Sequence, residues 1–102
     1  MKEIKLLMEH IEDELDDAHT YAKLAVEYKS TDPELADLFC KLSGEEMNHM
    51  SALHKAVVAH IEDYRKKKGE PPEAMMAVYE YLHKRDIDKA EEVGVLQALY
   101  KK

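Results

Sequence analysis

Apolar residues recur every three or four positions along the opening segment, at Ile4, Leu7, Ile11, Ala18, Tyr21, Ala25 and Tyr28. That interval is the buried stripe of an α-helix, and no strand could place these side chains on one face. Glu14 falls on the stripe, between Ile11 and Ala18. A second segment carries Leu35, Leu38 (with Phe39), Leu42, Leu53 and Ala56, and there Glu46 and His49 stand between Leu42 and Leu53. A carboxylate on a buried stripe needs a partner, because stripping its water is costly unless a counter-charge or a metal replaces it.

Punctuation divides the chain into three helices, at about 2–29, 33–68 and 72–101. Ser30-Thr31-Asp32-Pro33-Glu34 is a break and restart: Thr31 or Asp32 can cap the new helix, Pro33 suits its first turn, and Glu34 completes a capping-box pattern with Thr31. Gly69-Glu70-Pro71-Pro72 ends the second helix. The third uses Met76, Tyr79, Leu82, Ile87, Ala90, Val93 and Leu96 as apolar positions, and Lys84-Arg85-Asp86 is where it would kink or divide. With no strand alternation and only three Gly and three Pro, the fold class is all-α: a long antiparallel helical hairpin plus a C-terminal helix, in one domain over 1–102.

Charge and cysteine content narrow the partners. A net charge of −7 opposes binding to nucleic acid or an anionic membrane, and Arg65-Lys66-Lys67-Lys68 reads as cations complementing a helix C-terminus. The single Cys40 rules out an intramolecular disulfide and is expected to pack as a small hydrophobe beside Phe39. Glu9 and His10 break the opening apolar run, so no signal peptide is expected. No stretch approaches the roughly twenty apolar residues of a membrane span. The expected location is the cytoplasm.

Length raises the question of what covers the stripe. The second helix should run about 54 Å at ~1.5 Å per residue, whereas a compact chain of this size has a radius of gyration near ~13 Å. The residues beyond a hairpin that long cannot hide its apolar face, so self-association into a homodimer or a higher oligomer of dimers is expected.

If the hairpin turns near 30 and 31, residue i lies level with residue 61 − i, and Glu14 comes level with position 47, between Glu46 and His49. Composition alone would supply a Glu-x-x-His pair by chance, and the chain has two, the other being Glu80-x-x-His83. Only the first sits on a seam opposite an independent carboxylate. The i, i+3 spacing projects Glu46 and His49 from one helix face, and carboxylate oxygens with an imidazole nitrogen suit Fe or Mn. Three such ligands are half of a carboxylate-bridged di-metal site, which a two-fold partner would complete while closing a four-helix bundle.

The pattern Glu14-x-x-x-Ala18-x-x-Tyr21-x-x-Leu24-Ala25, followed by Glu45-Glu46-x-x-His49, resembles the ferritin-like superfamily, nearest its rubrerythrin and encapsulated-ferritin members. The resemblance covers about residues 4–60. It implies a di-iron site shared across a dimer, two ions per dimer site with Mn or Zn as alternatives. Glu14 would be the bridging carboxylate, Glu46 the second carboxylate and His49 the nitrogen ligand. The rubredoxin-like cysteines of rubrerythrin are absent, and Gln97-Ala98-Leu99-Tyr100-Lys101-Lys102 reads as helix rather than a cargo-targeting tail. The expected function is Fe(II) oxidation by oxygen or peroxide; the alternative is a metal-free helical assembly protein on the same scaffold.

Other polar residues read more plainly. Tyr21 is expected to pack. His10 with Glu14 has the H-x-x-x-E spacing that hemerythrin-type sites use, without the remaining histidines. Asp17, level with Gly44, is expected to face solvent, as are Glu80 and His83. His19, His54 and His60 show no partner pattern.

Overall fold

The computed structural model describes residues 2–102. It holds three helices, α1 (Lys2–Tyr28), α2 (Pro33–Lys68) and α3 (Glu73–Lys101), and no strand among the described residues. Their bounds agree with the sequence expectation to within a residue or so. None of them is long and apolar enough to cross a membrane.

The turn between α1 and α2 differs in one detail. Asp32, with extended backbone, is the N-cap, and its carboxylate accepts a hydrogen bond from the Leu35 amide at 3.2 Å. Pro33 occupies the first helical position, and it forces the residue before it out of helical geometry. That makes Asp32 the cap and leaves Glu34 one position short of where a capping box needs it, so the Thr31–Glu34 box does not form. At the far end of α2, Gly69 has φ of 84° and its amide closes on the Arg65 carbonyl at 3.1 Å. Such a positive φ suits glycine, which has no Cβ to clash. The basic run that ends α2 is held by local acids: Arg65 pairs with Glu62 at 2.6 Å and with Glu70 at 3.3 Å, and Lys67 with Asp63 at 3.1 Å.

α3 runs undivided through Lys84-Arg85-Asp86. Arg85 there pairs with Glu12, one turn on Lys89 pairs with Asp16, and Glu92 lies 3.6 Å from His19. These pairs form a ladder along one flank of α1. Each is exposed and worth about 0–1 kcal/mol, enough to align two helices rather than to hold them.

α1 is the central element. It packs along α2 on one side and α3 on the other, whereas α2 and α3 scarcely touch. Its buried set, Ile4, Met8, Ile11, Leu15, Ala18, Ala22 and Ala25, alternates by four and three residues and forms one stripe that both neighbours share, turned from the expected one so that Leu7 and Tyr21 are half-buried and Tyr28 is exposed. Ile4, Met8, Ile11 and Leu15 form one cluster with Val57 and Ile61 of α2, and Ala18 and Ala22 form a second with Val93 of α3. Several expected core positions lie further out. Leu38 is 50% exposed and Ile87 45%, while Leu35, Phe39, Leu42 and Leu53 are only half-buried. The rod measures 55 × 18 × 18 Å, and its radius of gyration of 16.3 Å reflects a single helix length with no chain folded back across it.

Ser43 ties the three helices at one level. Fully buried, it donates to the Ala18 carbonyl at 2.8 Å and accepts from Gln97 Nε2 at 2.9 Å. The Ala18–Ser43 pairing is the level that the 61 − i rule assigns. Ser43→Ala should cost about 1–3 kcal/mol by stranding the Gln97 donor. A urea midpoint equal to that of the wild type would refute this.

Candidate metal centre

α1 contributes Glu14 to the centre. On α2, Glu46 and His49 share one face because an i, i+3 pair lies nearly one turn apart. The hairpin register brings the three together: donor atoms from Glu14, Glu46 and His49 all lie within 4.8 Å of one another. His49 Nδ1 is 3.4 Å from Glu14 Oε2 and 3.9 Å from Glu46 Oε1. Among the described residues no lysine or arginine pairs with either carboxylate.

Burial is uneven. The side chains of Glu14 and Glu46 are 24% and 19% exposed, but that of His49 is 60% exposed. Glu14 Oε2 is itself buried and lacks a hydrogen-bond partner. The trio lies at the open edge of the α1–α2 seam rather than within an enclosed core, because α3 packs on the other side of α1. Contacts from α1 to α3 use Glu12, Asp16 and His19, and those from α2 use Asp37, Ser43 and His54. Leu35, Leu38, Leu42, Glu46, His49 and Leu53 all project within about 100° of one another on α2 at ~100° per residue. The centre therefore interrupts a half-exposed apolar strip.

The neighbouring residues behave mostly as expected. Tyr21 stacks on Phe39, ring centroids 6.1 Å apart and planes at 20°. Cys40 is a half-buried free thiol. His10 and Asp17 are exposed and stay out of the donor group. His60 Nδ1 bonds the Ala56 carbonyl within its own helix at 2.9 Å.

Three residues carry more than sequence reasoning assigned. His54 and His83 face one another across α2 and α3, ring centroids 4.9 Å apart and planes at 11°, and Tyr79 stacks on His83 at 5.6 Å. Burial, and then the neighbouring His83, hold the His54 imidazole below its usual range. Asp86 is 6% exposed, and as an ionised carboxylate it finds no donor among the described residues, its carboxyl neighbour being Glu12, to which it can donate when protonated. Burial first, then the nearby Glu12 carboxylate, push its carboxyl up to about 6, against the pull of Arg85. Glu12 moves the other way: burial works to raise it, but hydrogen bonds with Arg85 and Asp86 and the charges of Arg85 and Lys89 hold it low. Spacing could have flagged Asp86, which falls between Leu82 and Val93 on the inner face of α3. Nothing in the sequence pairs His54 with His83, since only the docking of α3 joins them.

No family model matches this chain, and no curated protein or solved structure matches it either.

Proposed function

We propose that the chain is a ferritin-like protein that binds a pair of metal ions between two protomers and uses the site to oxidise Fe(II). The observation that carries this reading is the convergence of Glu14, Glu46 and His49 within 4.8 Å, with Glu14 Oε2 buried and unpartnered. A buried carboxylate oxygen with no donor is costly, and a cation is what two carboxylates and an imidazole fit. Oxygen and nitrogen donors suit iron, with Mn and Zn accepted by the same set.

Glu14, arriving from the opposite helix, would be the bridging carboxylate. Glu46 and His49 each offer one more donor. Bound there as a pair, Fe(II) would supply the electrons that reduce oxygen or peroxide. The chain's own part is to present the two carboxylates and the imidazole together and to keep the leucines of the strip around them. Three ligands leave a di-metal site half complete. A second copy docked by a two-fold axis across the same strip would bring another Glu14, Glu46 and His49, cover Leu38 and Leu42, and close a four-helix bundle.

Assembly and metal content test the proposal together. Light scattering should report a dimer or a multiple of dimers, and protein purified without chelators should hold two metal ions per dimer. A metal-free 11.8 kDa monomer at micromolar concentration would sink the shared site. A stable dimer that takes up no Fe(II) would instead favour a metal-free assembly protein. Protons compete for all three ligands, so metal affinity should fall as pH is lowered. Affinity unchanged from pH 8 to pH 5 would speak against these ligands.

A further inference from the structure

On the flank of α1 away from the Glu14 centre, α2 and α3 diverge around a cavity of about 350 Å³. Its apolar walls are Met8, Ile11 and Met50, and its polar lining includes His54, His83 and Asp86. Two features here are unsatisfied. The Asp86 carboxylate is more than nine-tenths buried and, apart from the neighbouring Glu12 carboxyl, has no hydrogen-bond partner among the described residues. The imidazoles of His54 and His83 lie nearly parallel at 4.9 Å, and neither ring nitrogen has a hydrogen-bond partner among the described residues. A neutral imidazole offers one in-plane lone pair to a metal, so the two rings bring two nitrogen donors to the cavity.

We propose that His54, His83 and Asp86 form a second metal site, for a divalent transition-metal ion of the Zn(II) class. His54 and His83 are its nitrogen ligands. Asp86, one turn beyond His83 on the same helix, supplies the compensating negative charge, either directly or through a bound water. Two neutral imidazoles select zinc, copper, nickel or cobalt over magnesium and calcium. An organic ammonium group would answer the carboxylate but would make no special use of two adjacent lone pairs. The donor set also differs from that of the Glu14 centre, where two carboxylates accompany one histidine. There the three donors are already converged; here an ion would have to draw the donors together within the cavity. Such an ion would bridge α2 and α3 where they otherwise scarcely touch, pinning the C-terminal helix onto the hairpin. The inference does not depend on the proposed oxidase function.

Cobalt(II) is a suitable probe, because its visible d–d bands report nitrogen ligation. Wild-type protein should bind one more Co(II) per chain than the His54→Ala and His83→Ala variants, and Zn(II) should displace it. The Glu46→Gln/His49→Leu variant should keep this Co(II) while losing the other centre, which separates failure of one site from failure of the other. Asp86→Asn should weaken the site by about 10- to 100-fold, the range typical of groups that support a metal's ligands. If an alanine variant fails to fold by circular dichroism, His83→Gln keeps the bulk and hydrogen bonding of the ring and must still lose the ion. Identical Co(II) stoichiometry and spectra in wild type, His54→Ala and His83→Gln would overturn the site. So would a cavity that takes up butylammonium, detected by calorimetry, but no Co(II).

Discussion

Replacing Glu46 with Gln and His49 with Leu should abolish metal uptake and Fe(II) oxidation while leaving the metal-free helical fold intact or slightly more stable. Both changes roughly keep side-chain volume and remove the charge and the nitrogen ligand. In metal-free wild type, Glu14 and Glu46 crowd two carboxylates beside a half-buried seam with no lysine or arginine among the described residues to pair them. Relieving that crowding offsets the lost contacts with His49. Metal at one hundred times its dissociation constant stabilises a folded protein by about 2.7 kcal/mol. For a chain near one hundred residues this raises the melting temperature by roughly 10–20 °C, at ~4–8 °C per kcal/mol. Wild type should therefore melt much higher with anaerobic Fe(II) or Mn(II) than with chelator, and the double variant should melt at the same temperature in both. A structural polar cluster predicts the reverse. The same changes would leave Glu14 unpaired, at a cost of about 3–5 kcal/mol, and wild type would ignore metal. A metal-blind wild type beside a crippled variant would end the metal reading.

Asp86→Asn should stabilise the metal-free protein by about 3 kcal/mol near pH 7.5, and the gain should shrink to about 1 kcal/mol near pH 4.5. The Asp86 carboxyl rises from an ordinary 3.8 to about 6, chiefly through burial and then through Glu12. An acid whose folded pKa is raised holds its proton more tightly when folded. The stability linked to it is fully present below pH 4 and is lost as pH climbs through about 6. Asparagine stands in for the protonated form and does not titrate. His54 works in the opposite sense, since its imidazole is held low and resists charging in the folded chain. That contribution is common to both proteins and drops out of their difference. Urea denaturation of each at the two pH values, with chelator present, measures the gap. Equal gaps at both would mean that Asp86 is not destabilised by its surroundings.

Much of the hairpin was legible because its determinants are local. Three- and four-residue spacing, Pro33 after a capping Asp32, and Gly69 before two prolines each act within a turn or two of chain. They place the helix ends almost residue by residue. Register was legible as well, since a short turn between long helices leaves little freedom in which residues come level. That is why Glu14, Glu46 and His49 could be matched before any coordinates.

What depended on α3 was not legible. Periodicity reports that a residue lies on an apolar face, but not which neighbour covers it. α1 reads as one stripe from Ile4 to Tyr28, yet the stripe it buries is turned toward Met8, Leu15 and Ala22, and Tyr28 is left exposed. The same docking leaves Leu38 half in solvent and His49 mostly exposed, although both sit on the stripe. It also buries Asp86 beside the Glu12 carboxyl and stacks His54 on His83. The sequence by itself determined the helices, their ends and the level at which three ligand-type residues meet, because short-range sterics and one tight turn suffice for these. Only the tertiary structure decided which side of that seam stays open and which polar groups are trapped behind α3. Those outcomes follow from long-range packing between segments some 70 residues apart, as between Glu12 and Arg85, and no local pattern encodes them.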